Sequence, residues 1–224
     1  VAVGVYVIVA ATIVIIAPWT LTVLFFSGVG TLAFLTTGAF EDSKIEKPSI
    51  IDMLFAGASI VVGIYFAIQS TTIINRIVLL DELTQLDVIF GTLVFIITLE
   101  ITRRTTGLGL TTLVLIFAAY NLWGHNLSGV LQHGKIDYLH FIEITVFTTD
   151  GIFGLPLRVA ATYAFMFVMF GTILHACGGG DFLFNFAAAI SGRSPGGPAK
   201  VAVISSGMYG MLSGSPTSDV VTTG

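Results

Sequence analysis

Residues 196–224 read GGPAKVAVISSGMYGMLSGSPTSDVVTTG. An apolar helical run over 199–212 breaks at Ser213-Gly214-Ser215-Pro216-Thr217-Ser218-Asp219, and a second apolar run begins at Val220. A polar tip between two short apolar arms is hard to place in lipid. Irregular backbone at membrane depth persists only where it is buried in protein or lines a cavity. Interrupted hydrophobic segments of this kind point to a transporter's binding site. The arm over 199–212 is also short for a crossing of roughly 30 Å, which takes about 20 residues. A re-entrant hairpin is therefore predicted at 196–224, hinged at Gly196-Gly197-Pro198. The simpler alternative is an ordinary polar turn between two full spans.

The composition fits a membrane protein. The chain is 55% hydrophobic and 10% charged, against about 25% charged in soluble domains. The net charge of -4 and the lack of a basic patch leave no case for nucleic acid. Cys177 is alone, so no intrachain disulfide or cysteine metal cluster is expected. The chain opens on Val1 inside an apolar run and ends on Gly224 in mid-segment, so it reads as a fragment of a longer protein.

Working back from the hairpin, about six spans are predicted in an all-α bundle: 1–17, 19–37, 49–70, 88–102, 108–123 and 156–175. Residues 75–87 form a polar connector. Residues 137–149 are amphipathic and too polar to span, so they belong at the interface or against other helices. Residues 181–190 form a short apolar helix. The doubly basic loops, with Lys44 and Lys47, Arg103 and Arg104, and Arg193 and Lys200, all fall on one side. The positive-inside rule makes that side cytoplasmic.

Chemistry concentrates at the hairpin tip. Ser213, Ser215, Thr217 and Ser218 offer hydroxyl oxygens, and an unwound segment frees backbone carbonyls. Hard cations such as Na+ take oxygen ligands. Asp219 is either an intramembrane acid of functional weight or a helix N-cap. Gly207 and Gly210 allow close helix packing. Gly178-Gly179-Gly180-Asp181 matches the GxGD of intramembrane aspartyl proteases, but a second carboxylate in the right context is missing. A helix N-cap is the plainer account of Asp181. Glu100 stands one turn before Arg103 and Arg104, as in an i,i+3 or i,i+4 pair. His125, His133, His140 and His175 lack close metal-ligand spacing and read as surface histidines. No GxxxxGK[ST] loop argues for ATP.

Several stretches together resemble the fused membrane subunit of TRAP (tripartite ATP-independent periplasmic) transporters. They are Leu99-Glu100-Ile101-Thr102-Arg103-Arg104, Thr149-Asp150-Gly151-Ile152-Phe153-Gly154-Leu155-Pro156-Leu157, Gly192-Arg193, Gly196-Gly197-Pro198-Ala199-Lys200-Val201-Ala202-Val203 and Ser213-Gly214-Ser215 ahead of Val220-Val221-Thr222-Thr223-Gly224. The resemblance covers about residues 50–224. It implies an elevator-type, Na+-coupled permease of the inner membrane that imports an organic acid handed over by a periplasmic substrate-binding protein. By the resemblance, residues 1–104 are a small-subunit-like scaffold and residues 105–224 begin the large transport subunit. Ser213, Gly214 and Ser215 are assigned to Na+, and Thr217, Ser218 and Asp219 to the substrate. The chain departs from the family's pattern at Pro216-Thr217-Ser218-Asp219, where small residues and Asn are common, and at Asp150, where Glu is common. Asp219 leaves proton coupling open beside Na+. The second hairpin is absent from this stretch, so the stretch alone is expected not to transport. Two rival classes are an intramembrane aspartyl protease resting on Asp181 and a non-transporting scaffold.

Overall fold

The computed structural model describes residues 4, 6, 17–38, 49–192 and 195–213. The expected first span, apart from residues 4, 6 and 17, lies outside them, as do Gly214, Ser215, Thr217, Ser218 and Asp219. All regular structure among the described residues is helical. Five helical stretches there are long and apolar enough to cross a membrane: Pro18–Thr36, Ile50–Ile68, Gln85–Thr106, Leu108–Asn126 and Leu155–Leu174.

The chain divides into two compact units. The larger covers Val14–Arg158. Its first helix, α1 (Pro18–Thr36), starts with proline at N1, where a missing N–H costs nothing. Helix α2 (Ile50–Ile68) follows Ser49, whose N–H donates to the Asp52 carboxylate at 2.9 Å. The short α3 (Ser70–Asn75) follows directly. Helix α4 (Gln85–Thr106) opens with a capping box: Asp87 N–H donates to Thr84 Oγ1 at 3.2 Å, and Thr84 N–H to Asp87 Oδ2 at 3.0 Å. The span thus begins three residues before the expected Val88. It also runs past Thr102 to Thr106, because Arg103 and Arg104 find carboxylates instead of water. Gly107, at φ 85 and ψ -178, occupies a region open essentially to glycine alone. It stops α4 and allows α5 (Leu108–Trp123) to start at the next residue.

Helices α1 and α2 touch at backbone range. Ser27 Oγ donates to the Ser59 carbonyl at 2.8 Å, and a Cβ on Gly63 would lie 2.4 Å from Ser27 Cβ. Helix α6 (Tyr138–Val146) lies against α4, as the amphipathic pattern over 137–149 requires. Phe141, Ile142, Glu143 and Val146 are buried, and Gly91 makes room for Ile142 and Phe147. Large apolar side chains such as Ile50 and Ile116 face outward, where hydrocarbon suits them.

Between α5 and α6, His133 closes the loop onto the end of α5. Its Nε2 lies 2.9 Å from the Tyr120 carbonyl and its Nδ1 2.7 Å from the Gly134 carbonyl. A neutral imidazole donates through one nitrogen only. The two carbonyls therefore favour the imidazolium and push the His133 pKa above the ordinary value of 6.5. A group whose folded pKa is raised adds stability below its unfolded pKa and loses that contribution as pH rises through the folded value. Amide exchange over residues 127–134, corrected for its intrinsic pH dependence, is expected to be slowest below about pH 6.5. It should quicken as pH rises further. His133→Gln is expected to abolish this dependence; a variant that keeps it would show that His133 is not the titrating group.

The smaller unit comprises Val1–Ile13 and Val159–Gly224. A π-helical turn, Ala160–Ala164, leads into α8 (Phe165–Ala176). It is entered from α7 (Leu155–Val159), so the expected 156–175 span is one helix with a π interruption. Gly178, at φ 79, turns the chain into α9 (Gly179–Ser191), and Gly196, at φ 72, turns it into α10 (Gly197–Ser213). Leu183 and Ala187 of α9 and Val201 of α10 are buried. A Cβ on Gly207 would meet nothing within 4 Å. The close packing expected there is therefore not made among the described residues; it falls at Gly63 and Gly91.

Candidate transport site

Among the described residues α10 runs to Ser213, the residue at which the polar tip was read. The hinge at its base is built from glycine. A Cβ on Gly197 would lie 2.3 Å from the Gly192 carbonyl oxygen. Ser213 is the one proposed site residue inside the described region. Gly214, Ser215, Thr217, Ser218 and Asp219 lie outside it.

Asp181 is exposed in the first turn of α9. The N-cap expected at Asp181 belongs instead to Gly178, whose left-handed backbone starts the helix. The Asp181 carboxylate still complements the positive end of α9.

The Thr149–Leu157 motif is a glycine-built turn (residues 149–157). Ile152 N–H donates to the Thr145 carbonyl at 2.7 Å, and Gly154 N–H to the Gly151 carbonyl at 3.0 Å. A Cβ on Gly151 would sit 2.0 Å from the Thr145 carbonyl oxygen, and one on Gly154 2.7 Å from the Thr149 carbonyl oxygen. The turn drives Phe153 into an aromatic nest with Trp19, Phe26 and Phe66, at centroid distances of 5.2, 5.5 and 5.6 Å. Its role in the larger unit is to fasten the chain after α6 to α1 and α2.

Glu100 pairs with both arginines, as its spacing requires: Arg103 Nη2 at 2.7 Å and Arg104 Nε at 2.7 Å. A fourth charge completes the cluster. Arg104 Nη1 donates to Asp52 Oδ1 at 2.6 Å and to the Thr37 carbonyl at 2.9 Å. The Asp52 and Arg104 side chains are only 3% and 2% exposed. The sequence reading did not single out Asp52. It is the lone charge in an apolar 19-residue helix, which is itself the signal for an intramembrane partner.

Among the described residues, no three His, Cys, Asp or Glu side chains gather as metal ligands would. No curated protein and no solved structure matches the chain. A family model does match: the tripartite ATP-independent periplasmic transporter, DctM component, over residues 93–224. The match starts inside α4, covers more than half of the chain, and runs through both the 149–157 turn and the polar tip. This is a transporter family, so the GxGD reading of Asp181 as a protease falls away. The chain is a multi-pass membrane protein and belongs to the DctM component family of the TRAP transporters.

Proposed function

We propose that this chain is the permease part of a Na+-coupled TRAP transporter of the inner membrane, importing an organic acid delivered by a periplasmic substrate-binding protein. One observation carries the reading. The DctM match runs through α10 and on through the polar residues 213–219. In this reading Ser213, Gly214 and Ser215 hold Na+ with hydroxyl and carbonyl oxygens. Thr217, Ser218 and Asp219 face the substrate. Asp219 is the group that would accept a proton if protons share the coupling. Residues 1–104 act as static scaffold, and the basic loops face the cytoplasm.

The test is uptake of a panel of organic acids by the complete transporter in proteoliposomes, with its binding protein outside. Uptake is expected to need both Na+ and the binding protein. Ser215→Ala is expected to lower it by at least about tenfold, the effect of losing roughly 1.4 kcal/mol of ion binding. Asp219→Asn is expected to change its pH dependence only if a proton is co-transported. Uptake indifferent to both variants would remove the site assignment and leave the family. Failure of uptake under every gradient, with the binding protein docked, would favour a scaffold role.

A further inference from the structure

At the end of the larger unit remote from Arg104, the segment joining α3 to α4 encloses a cavity of about 350 Å3. Its wall carries Arg76, Asp81, Glu82 and Asp87, with the amides of Gln69 and Asn75. Two features set it apart from an ordinary polar loop. Asp87 is fully used, by Thr84 and by the Tyr65 hydroxyl at 2.7 Å. Asp81 uses Oδ2 on the Ile77 N–H at 2.8 Å, whereas Glu82 has no hydrogen-bond or ion-pair partner among the described residues. Arg76 is 9% exposed. Its Nη2 donates to the Asp81 carbonyl and lies 3.7 Å from Glu143 Oε1, yet its buried Nε has no partner. The cavity therefore offers free carboxylate oxygens beside the Arg76 guanidinium.

Beside it, Ile77, Val78, Leu79 and Leu80 stand 41 to 74% exposed. They are held out rather than left loose. Leu79 is the one described non-glycine residue with positive φ, at 67, and its N–H donates to Glu143 Oε1 at 3.1 Å. The segment connects spans Ile50–Ile68 and Gln85–Thr106, so it lies where the hydrocarbon meets water. Four aliphatic side chains fixed at that boundary suit acyl chains.

We propose that this cavity binds the headgroup of a phospholipid bearing a primary ammonium, of the ethanolamine class, with its acyl chains against residues 77–80. The ammonium donates to Glu82 and to the free oxygen of Asp81. The phosphate lies beside Arg76, whose charge complements it. The quaternary ammonium of choline donates no hydrogen bond, and the wall has no aromatic ring to cage it.

The test is native mass spectrometry of the full transporter from nanodiscs holding equal amounts of phosphatidylethanolamine, phosphatidylcholine and phosphatidylglycerol. The ethanolamine lipid is expected to be retained about tenfold over the choline lipid, the worth of one charge-assisted hydrogen bond. Glu82→Gln, an isosteric change at an exposed side chain, is expected to erase that preference. Leu80→Ser is expected to weaken retention of every lipid. Equal retention of the lipids by the wild type, or a preference that survives Glu82→Gln, would overturn the proposal. So would soluble glycerophosphoethanolamine displacing the lipid at equal concentration, because the site would then select a soluble zwitterion.

Discussion

Arg104→Ala is expected to cost about 3–5 kcal/mol of stability, the range for removing one partner of a buried ion pair. The cost arises from what stays behind. Asp52, nine-tenths buried and more, would keep one bond to its own helix start, from Ser49 N–H, and no cation. The Thr37 carbonyl would lose its donor from Arg104. Phe34, whose ring lies 4.8 Å from the guanidinium carbon, would lose a cation–π contact and face a void. The cluster of Asp52, Glu100, Arg103 and Arg104 is neutral as a whole, so the single change leaves a net charge among helices α1, α2 and α4. The double variant Asp52→Ala with Arg104→Ala restores neutrality and leaves the Glu100–Arg103 pair intact. It is expected to recover a large part of the loss. Thermal unfolding of the purified protein in detergent, run on both singles and the double, measures the coupling. Losses that simply add would show that Asp52 and Arg104 act independently.

This cluster also marks how far the sequence could be read. The Glu100 pairing with Arg103 and Arg104 was legible, because i,i+3 and i,i+4 contacts are fixed by helix geometry alone. The Asp52 contact was not, because it joins residues 52 apart in the chain and depends on how α2 meets α4. Five of the six expected spans were legible from apolar run length among the described residues, and the amphipathic 137–149 segment packs against another helix, one of the two places its pattern allowed. The ends of the spans were less so. Thr84 and Asp87 stand three apart as in a capping box, a signal that the reading of 75–87 as a polar connector did not use. Glycine was the least transparent residue. Gly207 looked like a packing site and meets nothing among the described residues, whereas Gly63 and Gly91, unremarked in the pattern, are where helices meet. Helical spacing shows that a face is small; only tertiary placement decides whether another helix uses it. The polar tip at 213–219 was conspicuous for the opposite reason. Its signal is local, since a run of serine, glycine and proline has low helix propensity.

Gly63→Leu is expected to be the most damaging single change in the α1–α2 contact, and Gly63→Ala to cost about 1–3 kcal/mol, as overpacking does. A β-carbon there would meet Ser27 Oγ at 2.3 Å and Ser27 Cβ at 2.4 Å. A Cβ cannot rotate away as the end of a long side chain can, so the helices must separate. In lipid no hydrophobic drive holds two helices together. The association rests on close packing and interhelical hydrogen bonds, and here both converge on the same few atoms. Separation by even a fraction of an ångström stretches the 2.8 Å bond from Ser27 Oγ to the Ser59 carbonyl. The compensating change follows from the same geometry. Ser27→Gly empties the space that the new methyl group needs, at the cost of that one hydrogen bond, worth about 0.5–1.5 kcal/mol. The pair Gly63→Ala with Ser27→Gly is therefore expected to be more stable than Gly63→Ala alone, although each single change destabilises. Unfolding in detergent, read by the fluorescence of Trp19 in the nest with Phe153, follows the same unit of the protein. A double variant no better than Gly63→Ala would mean that the glycine is there for the backbone of α2 and not for the approach of α1.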